Sequence, residues 1–472
     1  MVRPYVNVLR FPALLLLLHD HVESMTLAHT DPLATLQDMI DKTPPVPDLS
    51  TFFEAIPPLG RTLRCACPCI GINGCGQALR CMAVPTETIN AYDLESGYRQ
   101  CLVQQLTDMG MELAHIDMHL KLGKTAGDIL RVGLESLTLP VDMLICGPPC
   151  PPWAGQGKHL NLKDKKAKVF MRIILWIVVL AHSGGLLCVI VENVKGVLSS
   201  YAGMESAMSR FLRILRRFVP FFDWRVDTLD LRDYMFPQSR VRTFLRGLRT
   251  CVATSVPPPL PPFGRRQLID CLGPFPHSPR ASFSPQQQEN IRVYERKIID
   301  LVNAGKLCRD DIVVIAPDRQ DGLTYSQSLT KNCAPTFTTQ NHGYMVLSVS
   351  DIVDMVPDDR RKFFRQFTES ERLTLQGFPA SFLLQLGKKL TRFASGNAYP
   401  PALIVAALYP MLKAISKSGM DLTKWPDAAA PLQDDLIVQV QRQLNARGRI
   451  VCKRKAATNA KKKRKINSSS ED

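Results

Sequence analysis

One cysteine lies in a proline-rich turn that could present its thiol to a substrate. The segment GPPCPPW places Cys150 after the apolar run Val141–Cys146, which we predict to be a strand. Gly147-Pro148-Pro149 stiffens the backbone between the strand and the thiol. A thiol attacks as thiolate, and an ordinary cysteine is mostly protonated at neutral pH, so a catalytic Cys150 requires a nearby cation or helix N-terminus. A single cysteine in a turn is more often inert, and Cys150 becomes a candidate only together with the residues that follow it.

A carboxylate ends the next apolar run. In VIVENV, Glu192 and Asn193 follow a second predicted strand. A strand-end carboxylate is often only a solvated charge. A protonated carboxyl can also donate to N3 of a cytosine ring while accepting from its amino group, which withdraws electrons and opens C6 to attack. Glu192 is therefore the predicted partner of a nucleophile.

Two arginines follow in the segment QSRVR. Arg240 and Arg242 are separated by one residue, so on a strand both side chains point to the same face. They can reach one site or one phosphate. Alone, the segment is typical of an exposed edge strand.

The elements that must position these groups alternate between strand and helix. Short apolar runs end in polar or reactive groups, and the helical stretch Glu205–Phe218 has apolar residues on one face. This alternation predicts a parallel sheet covered on both faces. Ligands of such sheets bind beyond the carboxyl ends of the strands, where we expect Asp93, Cys150 and Glu192.

Composition divides the chain into five predicted regions. An irregular, partly disordered N-terminal extension covers 1–60, and the alternating region covers 61–250. A proline cluster at 257–262 begins the segment 251–366, which lacks periodicity and carries 14 basic and 12 acidic side chains. Apolar helical character returns over 367–415, and 416–472 is a polar tail.

The motifs, taken in order, resemble those of the DNA (cytosine-5)-methyltransferase family. GPPCPPW resembles the nucleophile motif, VIVENV the Glu-Asn-Val motif and QSRVR the Gln-x-Arg-x-Arg motif. RQFTESERLTLQGFPASF and SGNAYPPALI resemble the two motifs that follow. The resemblance covers roughly 65–250 and 367–413.

This resemblance implies a fold and a reaction. The fold is an α/β, Rossmann-like methyltransferase fold, with a smaller, irregular target-recognition domain at 251–366 and a return segment at 367–415. Cys150 adds to C6 of a cytosine flipped out of the DNA duplex, and Glu192 binds the N3–N4 edge. Arg242 contacts the pyrimidine carbonyl, while Arg240 braces Glu192.

The methyl donor implied by the resemblance is S-adenosyl-L-methionine. Its predicted binding residues come from the glycine-rich segment CIGINGCG, two later acidic positions and the last motif: Gly71, Ile72, Gly74, Asp93, Asp128 and Asn397. Asn73 stands where the family has a glycine, and Cys69 where it has a phenylalanine over the adenine. These departures put the affinity for the donor in question.

The 14 cysteines form no secretory framework and indicate a reducing compartment. A group between Cys65 and Cys81 suggests zinc, but it has no paired CxxC and no nearby histidine, so we predict no metal. No apolar run reaches the length of about 20 residues that a membrane span needs, and we expect no membrane contact.

The net charge of +16 points to an acidic partner, predicted to be double-stranded DNA in chromatin. Eight basic residues between Lys453 and Lys465 form two clusters that resemble a bipartite nuclear localisation signal. They predict nuclear localisation and an import receptor as a partner, although a nonspecific nucleic-acid arm explains them too. The loop Gly155–Lys168 has five lysines and one aspartate, which suit phosphates or a solvated surface.

Two other functions are compatible with these motifs. Some relatives in the family act on transfer RNA, so an RNA cytosine-5 methyltransferase is one alternative. A catalytically weak, chromatin-binding regulatory homologue is the other, supported by the altered glycine-rich loop. The target sequence and the oligomeric state have no signature in the sequence.

Overall fold

The computed structural model describes most of the chain. The described residues are 32–108, 127–154, 162, 164–182, 185–200, 203–274, 283–318, 329–339, 343–355, 365–424 and 434–446. The basic tail 453–465 and residues 155–161 and 163 of the lysine-rich loop lie outside them.

A six-stranded sheet forms the centre of the larger part. Its strands are β1 (Leu63–Pro68), β2 (Thr86–Tyr92), β3 (Met143–Cys146), β4 (Cys188–Val194), β5 (Phe222–Asp230) and β6 (Val241–Arg249). The spatial order is β2-β1-β3-β4-β6-β5. The first four of these neighbours pair in parallel, and β6 is antiparallel to both β4 and β5.

Helices cover both faces of this sheet. They are α2 (Gly74–Cys81), α3 (Ser96–Asp108), α4 (Ala167–His182), α5 (Ala207–Phe218) and α10 (Pro401–Lys417); α9 (Phe382–Asn397) packs on α3, and α1 (Pro32–Asp41) and α8 (Glu369–Thr374) pack on α9. Alternate residues of the central strands enter opposite cores, so Met143 packs in the core with α10 and Leu144 in the core with α4. The sheet is therefore buried on both faces, as the apolar runs predicted. The arrangement is the Rossmann-like, three-layer α/β fold expected from the sequence.

The sequence has no periodicity across 251–366, yet the structure places regular elements there. They are α6 (Pro285–Asn303), β7 (Ile312–Ile315), β8 (Leu329–Lys331), β9 (Met345–Ser348) and α7 (Val349–Asp354), and β10 (Arg365–Gln366) completes an antiparallel sheet. The description of this region as irregular is wrong for its described residues. The strands are too short to show a period, but Ser284 and Gln287 form the capping box that begins α6, and Pro285 is its first residue.

Two terminal regions are also more ordered than their composition predicts. Residue Leu49 of the expected irregular extension is 1% exposed, and α1 precedes it. In the predicted polar tail, α11 (Asp434–Asn445) packs against α4 and α5. The apolar face of α11 contains only a few residues, so the polar composition of the region gave no sign of the helix in the sequence. The domain boundaries themselves stay a prediction.

A membrane span requires both length and apolarity in its helix. No single one of the described helices has both, whereas α9 and α10, bent by 46° at their junction, have them only as a pair.

Candidate active site

The predicted nucleophile lies in a turn directly beyond β3. Cys150 is half-buried, and its carbonyl accepts from the Trp153 amide at 2.9 Å. The Asn193 side chain donates to the Pro148 carbonyl at 3.1 Å, which ties the turn to the end of β4. Asn193, predicted only as part of a motif, therefore holds the nucleophile turn in place.

Glu192 and Arg242 form a buried ion pair beside this turn. Arg242 Nε lies 2.8 Å from Glu192 Oε1, and both side chains are about one-tenth exposed. They meet because β4 and β6 are antiparallel neighbours, in which Glu192 pairs with Phe244 and Val194 with Arg242. A Cβ at Gly147 would come within 3.2 Å of Glu192 Oε2, so the carboxyl also lies against the first residue of the nucleophile turn.

Arg240, predicted to brace the Glu192 side of the site, makes its hydrogen bonds to other segments of the chain. Its side chain is 1% exposed and donates to main-chain carbonyls of two other segments: Phe337, Ser395, Gly396 and Ala398. The ion-pair partner of Glu192 is Arg242, whereas Arg240 acts on the carboxyl through its charge. Because Arg240 precedes β6, its side chain reaches the return segment rather than β4.

Burial dominates the electrostatics of the site. It raises the pKa of the Glu192 carboxyl, although Arg242 and Arg240 both oppose this. Burial also raises the pKa of the Cys150 thiol, with Arg242 acting in the lowering direction and Glu192 in the raising direction. The pKa of Arg240 falls to about 9, chiefly through burial and secondarily through Arg242. Burial thus makes it easier for Glu192 to take up a proton than in water, and the protonated carboxyl is the form that can donate to a ring nitrogen.

The glycine-rich segment forms a loop after β1 whose shape depends on Asn73. Asn73 has φ 63°, in the left-handed region, and its side chain accepts from the Gly76 amide at 3.0 Å as the N-cap of α2. It also donates to Gln105 Oε1 at 3.0 Å. Asparagine is the residue besides glycine that best tolerates this conformation and a good N-cap. The departure from glycine therefore preserves the backbone of the loop.

Both predicted cofactor-binding carboxylates lie close to this loop. Asp93 accepts from the Gly71 amide at 2.8 Å and the Glu95 amide at 2.9 Å. A Cβ at Gly127 would lie 1.6 Å from the Asp93 carbonyl, so the chain leading into Asp128 passes against Asp93. Both carboxylates raise the pKa of the Cys69 thiol, after the larger effect of its burial. Asp93, Asp128 and Cys69 consequently border one region.

The remaining residues predicted to bind the cofactor differ in their burial and in the space around them. Gly71 has φ +58° and open space around its missing Cβ, whereas a Cβ at Gly74 would meet the Tyr399 carbonyl at 2.3 Å. Ile72 is 2% exposed and packs in the core, so only its main chain faces the loop. Asn397 is exposed and lies close to the Tyr98 hydroxyl.

Tyr399 is a site residue that the sequence did not single out. Its hydroxyl donates to the Ile70 carbonyl at 3.1 Å, and its ring lies against Gly74 and Gly147. The side chain therefore connects the glycine-rich loop with the nucleophile turn. Its place between Ala398 and Pro400 of the last motif was the available signal.

These residues fit a nucleoside-bearing sulfonium donor. The Asp93 oxygens retain free lone pairs for ribose hydroxyls after accepting two amides. The buried Tyr98 hydroxyl has the exposed Asn397 side chain beside it but makes no hydrogen bond of good geometry within the described residues. Leu94 and Leu130, which the sequence did not single out, are 67% and 42% exposed and directly follow Asp93 and Ile129. Apolar side chains beside the carboxylates suit the faces of an adenine.

The cysteine group near the loop consists of free thiols. Cys67 Sγ lies 3.4 Å from Cys65 Sγ and 3.2 Å from Cys75 Sγ, all buried within β1 and α2. Within the described ranges no set of three or more histidine, cysteine, aspartate or glutamate side chains is arranged to hold a metal. These thiols pack the core under the loop.

The fold and these side chains define a methyltransferase of the α/β class. The chain matches the family of C-5 cytosine-specific DNA methylases over residues 119–413. It is 22% identical over 321 residues to the type II methyltransferase M.DsaV of Dactylococcopsis salina, covering 67% of this chain and 80% of that protein. It is 24% identical over 262 residues to M.MthTI of Methanothermobacter thermautotrophicus, covering 55% and 74%.

Solved structures with similar folds include two eukaryotic proteins. One is the Entamoeba histolytica methyltransferase EhMeth, at 15% identity and a TM-score of 0.45, covering 75% of this chain and 98% of that one. The other is a Spodoptera frugiperda DNMT2 mutant, at 16% and 0.44, covering 74% and 99%. The family match spans more than half of the chain, and the chain belongs to the C-5 cytosine-specific DNA methylase family. It is an enzyme that methylates cytosine C5 in DNA.

Proposed function

We propose that this methylation proceeds through a covalent bond between Cys150 Sγ and C6 of a cytosine flipped out of double-stranded DNA. The observation that carries the proposal is the buried Glu192–Arg242 pair, placed against the turn that presents Cys150. The pair supplies an acid for the ring and a cation for the thiolate at the same end of the sheet.

The steps follow from the chemistry of these groups. The thiol gives its proton to solvent and the S–C6 bond forms while Glu192 donates its proton to N3, which makes C5 nucleophilic; Glu192 takes that proton back as C5 gains the methyl group. S-adenosyl-L-methionine supplies the methyl group when bound. Loss of the C5 proton to water and cleavage of the S–C6 bond, whose electron pair returns to sulfur, then restore Cys150. Asp93, Asp128 and Asn397, with the main chain at Gly71–Gly74, are the proposed donor-binding groups.

The proposed role of Arg242 is to orient Glu192 and to face the pyrimidine carbonyl. Arg240 is proposed to hold the return segment, through its carbonyl contacts, in the position that closes the site. The resemblance implied the contact of Arg242 with the pyrimidine carbonyl, and the ion pair adds its role in orienting Glu192.

A covalent trap tests the proposal. Duplex DNA carrying 5-fluorocytosine should form a stable adduct in the presence of the donor, because fluorine cannot leave as the C5 proton does. Cys150→Ala should abolish the adduct, while Cys251→Ala, which removes an exposed thiol, should leave it unchanged. An adduct in the Cys150→Ala variant, or one on transfer RNA in place of duplex DNA, would contradict the proposal. Absence of donor binding in calorimetry would favour a regulatory homologue.

We also propose that the protein acts on chromatin in a nucleus, reached through an import receptor. The support is the sequence of the two basic clusters between Lys453 and Lys465, which lie outside the described residues. The relatives named above include bacterial and archaeal proteins, so this part rests on the tail alone. A fluorescent fusion with glutamine at the eight basic positions should lose nuclear accumulation. Equal accumulation with and without them would exclude the signal.

A further inference from the structure

Tyr399 lies in a short link between two helices, where its backbone has little freedom. The link between α9 and α10 consists of Ala398, Tyr399 and Pro400. The α region is disfavoured for a residue before proline, so Pro400 restricts Tyr399 to extended backbone. The Ala398 carbonyl also accepts from the Arg240 guanidinium. The direction of the Tyr399 side chain is therefore set by the local sequence and by one buried arginine.

The Tyr399 hydroxyl holds one peptide unit of the glycine-rich loop. It donates to the Ile70 carbonyl at 3.1 Å, and this carbonyl also accepts from the Asn73 amide at 3.1 Å. The amide of the same peptide unit belongs to Gly71 and donates to the Asp93 carboxylate at 2.8 Å. Both ends of the unit are thus held, and its plane cannot rotate without the loss of a hydrogen bond. Because this unit begins the main chain proposed to bind the donor, the hydroxyl helps to set the shape of that surface.

The Tyr399 ring lies between the glycine-rich loop and the nucleophile turn and contacts a glycine of each. A Cβ at Gly147 would lie 2.6 Å from ring atom Cδ1, and a Cβ at Gly74 would lie 3.1 Å from ring atom Cδ2. One edge of the ring therefore faces the turn and the other faces the loop. The same Cβ at Gly147 would lie 3.2 Å from Glu192 Oε2, so this edge is also close to the carboxyl. The ring packs against the backbone that connects β3 with Cys150.

Burial makes this contact rigid. Tyr399 is 2% exposed and belongs to the core that α10 forms with β1 and α2. Protein interiors are close-packed, so neither loop can shift at these glycines without displacing the ring. One side chain thus makes a polar contact with the loop and a steric contact with the turn.

We propose that Tyr399 is a positioning residue for methyl transfer: its hydroxyl shapes the glycine-rich loop for the donor, and its ring holds the nucleophile turn beside Glu192. The role of the ring rests on the proposed function, whereas the role of the hydroxyl requires only that the loop binds the donor. Reactions between two bound groups lose rate steeply when either group is displaced, so a side chain that fixes both loops should act on the rate as well as on affinity.

Two substitutions separate the hydroxyl from the ring. Tyr399→Phe removes only the hydroxyl, and Tyr399→Leu removes the hydroxyl and the ring. Tyr409 provides the matched control, because it is 4% exposed in the same core and donates to the Glu54 carbonyl at 2.9 Å, which belongs to neither loop. Tyr409→Phe and Tyr409→Leu therefore remove the same groups elsewhere on α10. Thermal unfolding compares the stability of each pair.

Tyr399→Phe should act on the donor. Calorimetry with S-adenosyl-L-methionine should show a Kd about three- to tenfold higher, the effect of one lost hydrogen bond, and the KM for the donor should rise by a similar factor. The rate of 5-fluorocytosine adduct formation at saturating donor and duplex DNA should change by less than about twofold. Tyr409→Phe should leave the Kd unchanged.

Tyr399→Leu should act on both loops. It should raise the donor Kd as Tyr399→Phe does, and it should also lower the adduct rate at saturation by at least about tenfold. Tyr409→Leu should lower that rate by less than about twofold at a comparable loss of stability. If Tyr399→Leu does not fold, Tyr399→Met takes its place with Tyr409→Met as its control, because methionine refills more of the space with a flexible chain.

The outcomes distinguish this inference from the proposed function. Equal donor Kd values in Tyr399→Phe and Tyr409→Phe would overturn the role of the hydroxyl. An adduct rate in Tyr399→Leu no lower than in Tyr409→Leu would overturn the role of the ring. An unmodified chain that binds the donor but forms no adduct would instead refute the proposed function, and the donor Kd of Tyr399→Phe would still test the hydroxyl.

Discussion

The turn that presents Cys150 and the glycine-rich loop after β1 lie at the same end of one sheet. The sequence around the turn keeps the family's motif residues, whereas the sequence of the loop departs from them. Around Cys150, Glu192 and Arg242 every residue type expected for the chemistry is present, and the structure joins them in one buried cluster. In the loop after β1, Asn73 and Cys69 depart from the pattern. The structure nevertheless keeps the loop closed, because Asn73 caps α2 in the left-handed conformation.

The comparison shows that a motif residue can change where the fold needs only a backbone conformation. It cannot change where the chemistry needs a side chain that donates a proton or an electron pair. Asparagine replaces glycine in backbone geometry at small cost. No other type of side chain supplies the sulfur nucleophile of a cysteine or the planar carboxylic acid of a glutamate. Variants of both regions test this contrast, and the largest effect is expected in the catalytic turn.

Apart from replacement of Cys150, Glu192→Gln should produce the largest loss of activity among the variants. We expect kcat/KM to fall by about 10³-fold, since general acid catalysis typically contributes roughly 10²–10⁴. Single-turnover methylation measures this loss. Asp227→Asn is the control for a lost ion pair, because it removes the carboxylate that pairs with Arg246 on β6. A loss below about tenfold would mean that Glu192 is not the acid.

The pH profile should identify the same residue. Burial raises the pKa of both Glu192 and Cys150, and the proposed mechanism needs the first protonated and the second ionised. Below the Glu192 pKa, the rate rises with pH as thiolate forms. Between the two pKa values the rate reaches a plateau, because the gain of thiolate and the loss of protonated carboxyl cancel. Above the thiol pKa, the rate falls as the remaining protonated Glu192 is lost. In Glu192→Gln the plateau should disappear, and the rate should rise continuously toward the thiol pKa.

Asp93→Ala should weaken donor binding by about 10- to 100-fold, because it removes the acceptor for ribose hydroxyls and releases the Gly71 amide. Calorimetry with S-adenosyl-L-methionine measures the change. Glu87→Ala, on the half-buried part of the same strand β2, is the control. Equal affinities for both variants would remove Asp93 from the donor site.

Arg240→Met should act mainly on stability rather than on chemistry. It leaves the carbonyls at Phe337, Ser395, Gly396 and Ala398 without their donor, which should cost about 3 kcal/mol in the free energy of unfolding. Denaturant unfolding gives that value, and residual adduct formation should persist at low temperature. If unfolding is unchanged but adducts disappear, Arg240 contacts the substrate instead.

The smallest effects should come from the altered loop. Asn73→Gly keeps the left-handed conformation and loses the cap, so we expect donor affinity within about threefold and a stability loss of a few tenths of a kcal/mol. Asn73→Ala loses the cap and adds backbone strain, for about 2 kcal/mol. A rise in donor affinity of more than about tenfold for Asn73→Gly would show that asparagine weakens the cofactor site.

The sequence by itself determined the order of the motifs, the chemical types of the reactive side chains and the alternation that requires a buried parallel sheet. These properties are local, since apolar periodicity and turn residues act within a few positions of one another. Cys150, Glu192 and Arg242 could therefore be selected before their distances were known.

The tertiary structure alone decided which groups meet. It paired Glu192 with Arg242 rather than Arg240, placed Tyr399 between two loops, and packed α11 beneath Arg210. Each of these contacts joins residues that are far apart in the chain, and main-chain carbonyls, which carry no sequence signature, accept most of the bonds. Their partners depend on how the sheet brings distant segments together, which no local pattern specifies.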